Sequence, residues 1–191
     1  MDERARALIG LSAALSAGRS GGLTEALERA AAHADDLAVE EVLLQSYLFL
    51  GYPAAMNALV QWRDRTDREA GSPAPDDWAG WRRRGERVCE TVYGGEYDRL
   101  RRNVARLHPD LERWMIVEGY GKVLGRPGLD LRLRELCIAA LLAGLDARPQ
   151  LHAHLRGALN AGATVGEVED ALALAARSSG PISVWAHSPV P

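Results

Sequence analysis

Glu135 and His154 set a carboxylate and an imidazole on what the sequence predicts to be the two arms of one helical hairpin. Asp130–Gly144 and Arg148–Ala161 both read as helices, and so short a join forces them antiparallel. Glu135 lies about ten residues from the turn and His154 about six into its own arm, which at ~1.5 Å per residue separates them by roughly 6 Å in height. Long side chains or one water close that gap. A carboxylate beside an imidazole fixes its tautomer and steadies its charged form, so the ring can give or take a proton near neutral pH. The chemistry predicted is therefore acid–base, with His154 as general acid or base and Glu135 as its orienting partner. The same pair could also do no more than hold the hairpin together. The sequence leaves both roles open.

The neighbours are less committed. Arg156, two positions past His154, could bind a substrate carboxylate as a two-pronged fork, or form a helix-surface ion pair. Gln150, on the first turn of the same arm, is grouped with it as a candidate substrate contact. His152 is two residues from His154, so the two cannot share a helical face; no histidines stand three or four apart, and no metal site is expected. Cys89 and Cys137 are the only cysteines and form no CxxC. They suit a reducing compartment rather than a disulfide framework, and Cys137, inside LCIAALLA, reads as a small buried hydrophobe.

The elements that must position these residues are helices. Apolar residues make up 47% of the 191, mostly Ala, Leu and Val, with one Phe. That composition favours helix over strand, and the predicted fold class is all-α. Helices are expected over Asp2–Ala17, over Thr24–His33, from a cap at Asp35 or Asp36 through VEEVLLQSYLFLG to Gly51, and from Pro53 to Trp62. DREAGSPAPDD (67–77) reads as a linker. Beyond it, helices are expected over Asp77–Tyr93, over Tyr97–Leu107, from Pro109 through PDLERWMIVEGYGKVL, on the two hairpin arms, and from a Thr164/Glu167 capping box to about Ala176. The tail SSGPISVWAHSPVP is expected to be extended.

An internal repeat is visible. Glu25 through Gly51-Tyr-Pro aligns without a gap with His154 through Gly180-Pro, and Arg6-Ala-Leu-Ile aligns with Glu135-Leu-Cys-Ile. The chain divides accordingly into a first repeat at 1–66, a linker with connecting helices at 67–108, and a second repeat at 109–191. Position for position, Arg6 replaces Glu135 and Glu25 replaces His154. Because arginine does not titrate, an Arg6–Glu25 ion pair would keep the hairpin without proton transfer, and one active site per chain is expected.

The stretch Arg126–Leu172, with RPGLDLRLREL, HLRGALNAGAT and a Glu-rich helix start, resembles the carboxymuconolactone decarboxylase/AhpD-like superfamily. Glu40–Leu59 resembles the piece that follows that core in single-repeat members, so the chain looks like a duplicated member. The resemblance implies an AhpD-like helical bundle. In the AhpD branch a Glu is followed by Cys at twelve, Cys at fifteen and His at nineteen residues. Here those positions hold Ala147, Gln150 and His154, so the redox cysteines are missing and a thiol peroxidase has neither nucleophile nor resolving thiol. In the decarboxylase branch an acidic residue precedes an aromatic-Gly pair. Glu118, two residues before Tyr120-Gly121, is the third catalytic candidate, with a solvated helix residue as its alternative.

The resemblance implies cofactor-free loss of carbon dioxide from a small carboxylated or lactone substrate, with His154, Glu135 and Glu118 at the centre. It also implies self-association, commonly as trimers or hexamers. A non-catalytic helical oligomer and, more remotely, an AhpD-type antioxidant protein are the other readings. Net charge of −3 and the acidic residues interleaved in WRRRGER and RLRRNVAR point away from nucleic acid. No apolar run reaches the ~18 residues of a membrane span, and MDERARALIG is unlike a signal peptide, so a cytoplasmic protein is expected.

Overall fold

Three aspartates start three of the helices by the same device. Asp2, Asp35 and Asp130 each accept the backbone N–H three residues on, from Ala5, Ala38 and Leu133, at 2.7, 2.9 and 3.0 Å. Each satisfies one of the amides a helix start leaves unpaired. The computed structural model describes residues 1–17, 20–66, 71, 75 and 77–179, and the regular structure among them is helical throughout. The order is α1 (Glu3–Ser16), α2 (Ser20–His33), α3 (Asp36–Gln45), α4 (Tyr47–Arg63), α5 (Trp78–Tyr93), α6 (Tyr97–Leu107) and α7 (Pro109–Trp114). A π-helix (Met115–Leu124) follows, then α8 (Leu131–Gly144), α9 (Arg148–Asn160) and α10 (Val165–Ser179). The Thr164/Glu167 box forms as a reciprocal pair, with Thr164 N–H donating at 2.9 Å and Glu167 N–H at 3.2 Å. Most of the expected linker and the tail from Gly180 lie outside the described residues.

The centre is α8 packed on α1. Every residue of α8 from Leu133 to Ala143 is buried, including Arg134 and Glu135, which have polar partners on other helices. Ser12 on α1 donates to the Cys137 carbonyl at 2.7 Å, satisfying a hydroxyl in that seam. One continuous apolar cluster runs from Ala5 on α1 to Ala175 on α10.

Three sequence expectations are corrected. The helix predicted to run unbroken to Gly51 stops at Gln45. A new one starts at Tyr47, and Gly51 then kinks it with φ 78° and ψ 167°, a left-handed conformation that glycine adopts without penalty. The helix from Pro109 is α-helical only to Trp114 and then widens into the π-helix, a form that recurs at functional sites. Arg6 turns to Asp170 on α10, 3.5 Å away, and to the Met1 carbonyl, rather than to Glu25. Asp170 lies within reach because α10 packs on α1.

The π-helix is pressed against α5. A Cβ on Gly85 would lie 2.0 Å from the Ile116 carbonyl oxygen, and one on Gly121 would lie 2.0 Å from that of Trp81. Only hydrogens fit there, so two glycines set the spacing between these elements.

A second feature was not legible in the sequence. Arg134, wholly buried on α8, donates to Glu41 on α3 at 2.6 Å and to the Gln45 amide oxygen at 3.2 Å. It also donates to the carbonyls of Leu129 and Arg126 at 3.1 and 3.0 Å. The Arg126 guanidinium approaches the other Glu41 oxygen at 2.9 Å. This knot ties the two halves of the chain together at the start of α8, one residue before Glu135.

Candidate active site

The α8–α9 turn occupies Leu145, Asp146 and Ala147, with Asp146 left-handed at φ 51°. Asparagine and aspartate are enriched in that conformation among side-chain-bearing residues. So tight a reversal sets α9 against α8. His154 Nδ1 meets Glu135 Oε2 at 2.8 Å. Glu135 is 0% and His154 6% exposed, so the bond is made almost out of water. An ionised carboxylate only accepts, so a carboxylate–imidazole contact of this kind places the hydrogen on Nδ1 and leaves Nε2 outside the bond. The Phe49 ring from α4 stands edge-on to the imidazole, centroids 5.9 Å apart at 83°.

Gly157 makes this approach possible. A Cβ there would lie 2.6 Å from Glu135 Oε2 and 2.6 Å from Val92 Cγ1. Mid-helix glycine costs roughly 1 kcal/mol relative to alanine, and that cost was the one sequence signal for a close contact here. We expect Gly157→Ala to destabilise by about 1–3 kcal/mol through overpacking and to displace the Glu135 carboxylate from the ring. Thermal melting together with the His154 Nδ1 proton resonance checks both; an unchanged resonance would contradict the displacement.

Across the site, Val92 and Tyr93 end α5, and the Asn160 amide on α9 fastens the Val92 carbonyl at 2.8 Å. Tyr120, from the π-helix, stands edge-on to Tyr93 with hydroxyl oxygens 3.4 Å apart. Burial pushes the Tyr93 phenol up to about 12 and holds Tyr120 well above its ordinary value; the nearby Glu135 charge acts in the same direction. These residues, and Phe49, are site neighbours that sequence reasoning missed. Tyr120 had been singled out only as a landmark for Glu118.

The other predicted residues are placed differently. Glu118 is half-buried in the π-helix and accepts from the Tyr47 hydroxyl at 3.0 Å. Tyr47 in turn stacks on Tyr52 at 4.9 Å. Arg156 and Gln150 are exposed, and His152 is half-buried. Two positions past His154, Arg156 is turned roughly 200° around the helix and away from the imidazole. A separate surface groove of about 290 Å³ is lined by Arg82, Arg101, Arg113 and acidic neighbours. Its guanidiniums already pair with Glu86, Glu112 and Asp110.

The thiols are closed to redox work. Cys89 and Cys137 are buried and free, and burial is the largest cause raising each, Cys89 to about 12. A protonated thiol is a poor nucleophile. Native protein is therefore expected to resist alkylation by iodoacetamide at pH 8, with both thiols reacting once it is unfolded; rapid labelling of the folded chain would refute this. The same shifts carry a stability consequence. Cys89 rises from 9.0 and Tyr93 from 10.0, each to about 12, so the unfolded chain ionises first. Their contribution is complete below about pH 9 and is lost as pH climbs toward about 12. Urea midpoints falling across that window would show it, and a flat profile would not fit.

The model of the carboxymuconolactone decarboxylase family matches residues 109–187, with both members of the dyad inside the match. The fold as a whole matches a solved structure, a Burkholderia xenovorans LB400 protein described as a gamma-carboxymuconolactone decarboxylase subunit. The TM-score is 0.58 at 24% identity, over 92% of this chain and 72% of that one. Over residues 109–187 the chain is similar to the carboxymuconolactone decarboxylase family, and its fold is similar to that solved structure. Among curated relatives, Peroxisomal protein 2 of Schizosaccharomyces pombe is 33% identical over 70% of this chain and 64% of its own length. Nitrosuccinic acid decarboxylase npaB of Metarhizium robertsii is 38% identical over 48% of this chain and 65% of its own. Peroxisomal protein 2 of Saccharomyces cerevisiae is 26% identical over 71% of this chain and 58% of its own. The chain thus spans less than two thirds of each curated relative it matches. Among the described residues, no helix is long and apolar enough to cross a membrane.

Proposed function

We propose that this chain is a lyase of the decarboxylase type, acting on a small carboxylated or lactone substrate with His154 as the proton-transferring residue. The observation that carries the reading is the buried 2.8 Å bond between His154 Nδ1 and Glu135 Oε2. It fixes the imidazole's orientation and leaves Nε2 to act on a ligand. In the step, the bond between the substrate carbon and its carboxylate breaks and carbon dioxide leaves. The electron pair stays on that carbon as a carbanion or enolate, and protonated His154 Nε2 supplies the hydrogen. The ring recovers its proton from solvent. A weakly hydrated site favours charge dispersal as the carboxylate is lost.

The likeness to a nitrosuccinic acid decarboxylase supports the reaction class and suggests nitrosuccinate as a first substrate to try. Carbon dioxide release from nitrosuccinate, a lactone acid and a β-keto acid, measured for the chain and for His154→Gln, tests the reading. Turnover lost in the variant is expected. No turnover by the parent chain, or equal turnover by both, would leave Glu135–His154 as a pair that only holds the hairpin. Self-association as a trimer or hexamer is part of the same proposal and is read by sedimentation. A cytoplasmic location is the working assignment, and the two peroxisomal relatives make peroxisomes the compartment to compare in cells.

A further inference from the structure

Glu135 has two carboxylate oxygens and uses one. Oε2 holds the imidazole, while Oε1 is buried with no hydrogen-bond partner among the described residues. A desolvated carboxylate oxygen left unpaired is strongly unfavourable, so the site is built to receive a hydrogen-bond donor there. The opposite wall supplies the complementary group. Val92, one residue before Tyr93, and Glu135 Oε2 lie 2.6 Å from the same point, the Cβ that Gly157 lacks. This places the end of α5 at the carboxylate. Tyr93 and Tyr120 bond one another at 3.4 Å, long for an O–H···O bond. One hydroxyl hydrogen suffices for that mutual bond, which leaves the second uncommitted. Both phenols stay neutral through the physiological range, because burial holds their protons on. Phe49 and Val92 border the site as apolar groups, the buried Cys89 thiol lies within electrostatic reach of Glu135 and both phenols, and Arg156 is exposed.

Among the described residues the site therefore offers one unpaired acceptor and one spare phenolic donor. We propose that Glu135 Oε1 and the Tyr93–Tyr120 hydroxyl pair together bind a neutral ligand group that donates and accepts through adjacent atoms, such as a carboxyl in its protonated form. A carboxylate anion would instead set like charge against Glu135 in a site shielded from water. The inference rests on the proposed function for the location of the ligand, but it concerns binding and not turnover.

Butyramide and butyrate test it. They match in size, but the amide presents the neutral donor–acceptor pair at every pH, while butyrate presents it only once protonated. Chemical-shift titration should show butyramide binding at pH 7.5 roughly tenfold tighter than butyrate, with butyrate gaining as pH falls and taking up one proton on binding. Tyr93→Phe and Tyr120→Phe, each checked for unchanged helicity, should weaken the amide several-fold. Butyrate bound as tightly as butyramide at pH 7.5, amide binding untouched by both Phe variants, or no response to either probe would overturn it. A chain that binds butyramide through these tyrosines and decarboxylates nothing keeps this inference and loses the lyase reading. Decarboxylation with neither probe bound does the reverse.

Discussion

Replacing Glu41 by alanine is expected to destabilise the fold by about 3–5 kcal/mol, because it leaves a guanidinium sealed in the interior without its anion. Arg134 is wholly buried, and among the described residues Glu41 is the carboxylate bonded to it, at 2.6 Å. The carbonyls of Leu129 and Arg126 and the Gln45 amide would still accept from it, but none carries a charge. A carboxyl stranded in this way can take up a proton; a guanidinium cannot lose one. Arg134→Met should therefore be the milder single change, the more so because Arg126 remains at 2.9 Å to share Glu41. The double variant Glu41→Leu, Arg134→Met should cost less than the two singles added, since it removes both charges at once. With domain stabilities of about 5–15 kcal/mol, the Glu41→Ala loss corresponds to a melting temperature lower by on the order of 10 °C. A change under about 1 kcal/mol would show that the knot contributes no more than an exposed ion pair.

The second large effect is on rate. His154→Gln is expected to lower kcat on any substrate the chain decarboxylates by roughly 10²–10⁴-fold, the usual worth of a positioned general acid. Stability should change far less, since glutamine fills much of the same space and can still donate to Glu135. Glu135→Gln should have a smaller effect on rate and a clear effect on the imidazole. An amide oxygen can accept from Nδ1–H but stabilises a charged ring less than a carboxylate does. Loss of the low-field Nδ1 proton signal in Glu135→Gln, alongside a reduced kcat, would identify Glu135 as the orienting partner. Equal kcat in the parent and His154→Gln proteins would exclude proton transfer by this ring.

The sequence by itself determined the helical class, most helix starts and the hairpin that brings Glu135 to His154. The reason is that these are local or nearly local facts. An aspartate before an apolar run caps a helix whatever else surrounds it, and a three-residue turn leaves its two arms no choice but to be neighbours. The absence of a thiol pair was equally local, since Ala147 and Gln150 stand where sulfur would be needed.

Tertiary structure decided everything that depends on elements distant in the chain. Glu118 meets Tyr47 across 71 residues and Arg134 meets Glu41 across 93, and no periodicity encodes such pairings. The π-helix after Trp114, which carries Tyr120 beside Tyr93, packs through Gly121 against Gly85 and Trp81 of α5, some thirty residues upstream. Arg6, read as a partner for Glu25 by analogy with the second half, was drawn to Asp170 because α10 packs there. Local rules therefore set the carboxylate and the imidazole side by side. Long-range packing chose the phenols, the aromatic edge and the missing Cβ around them.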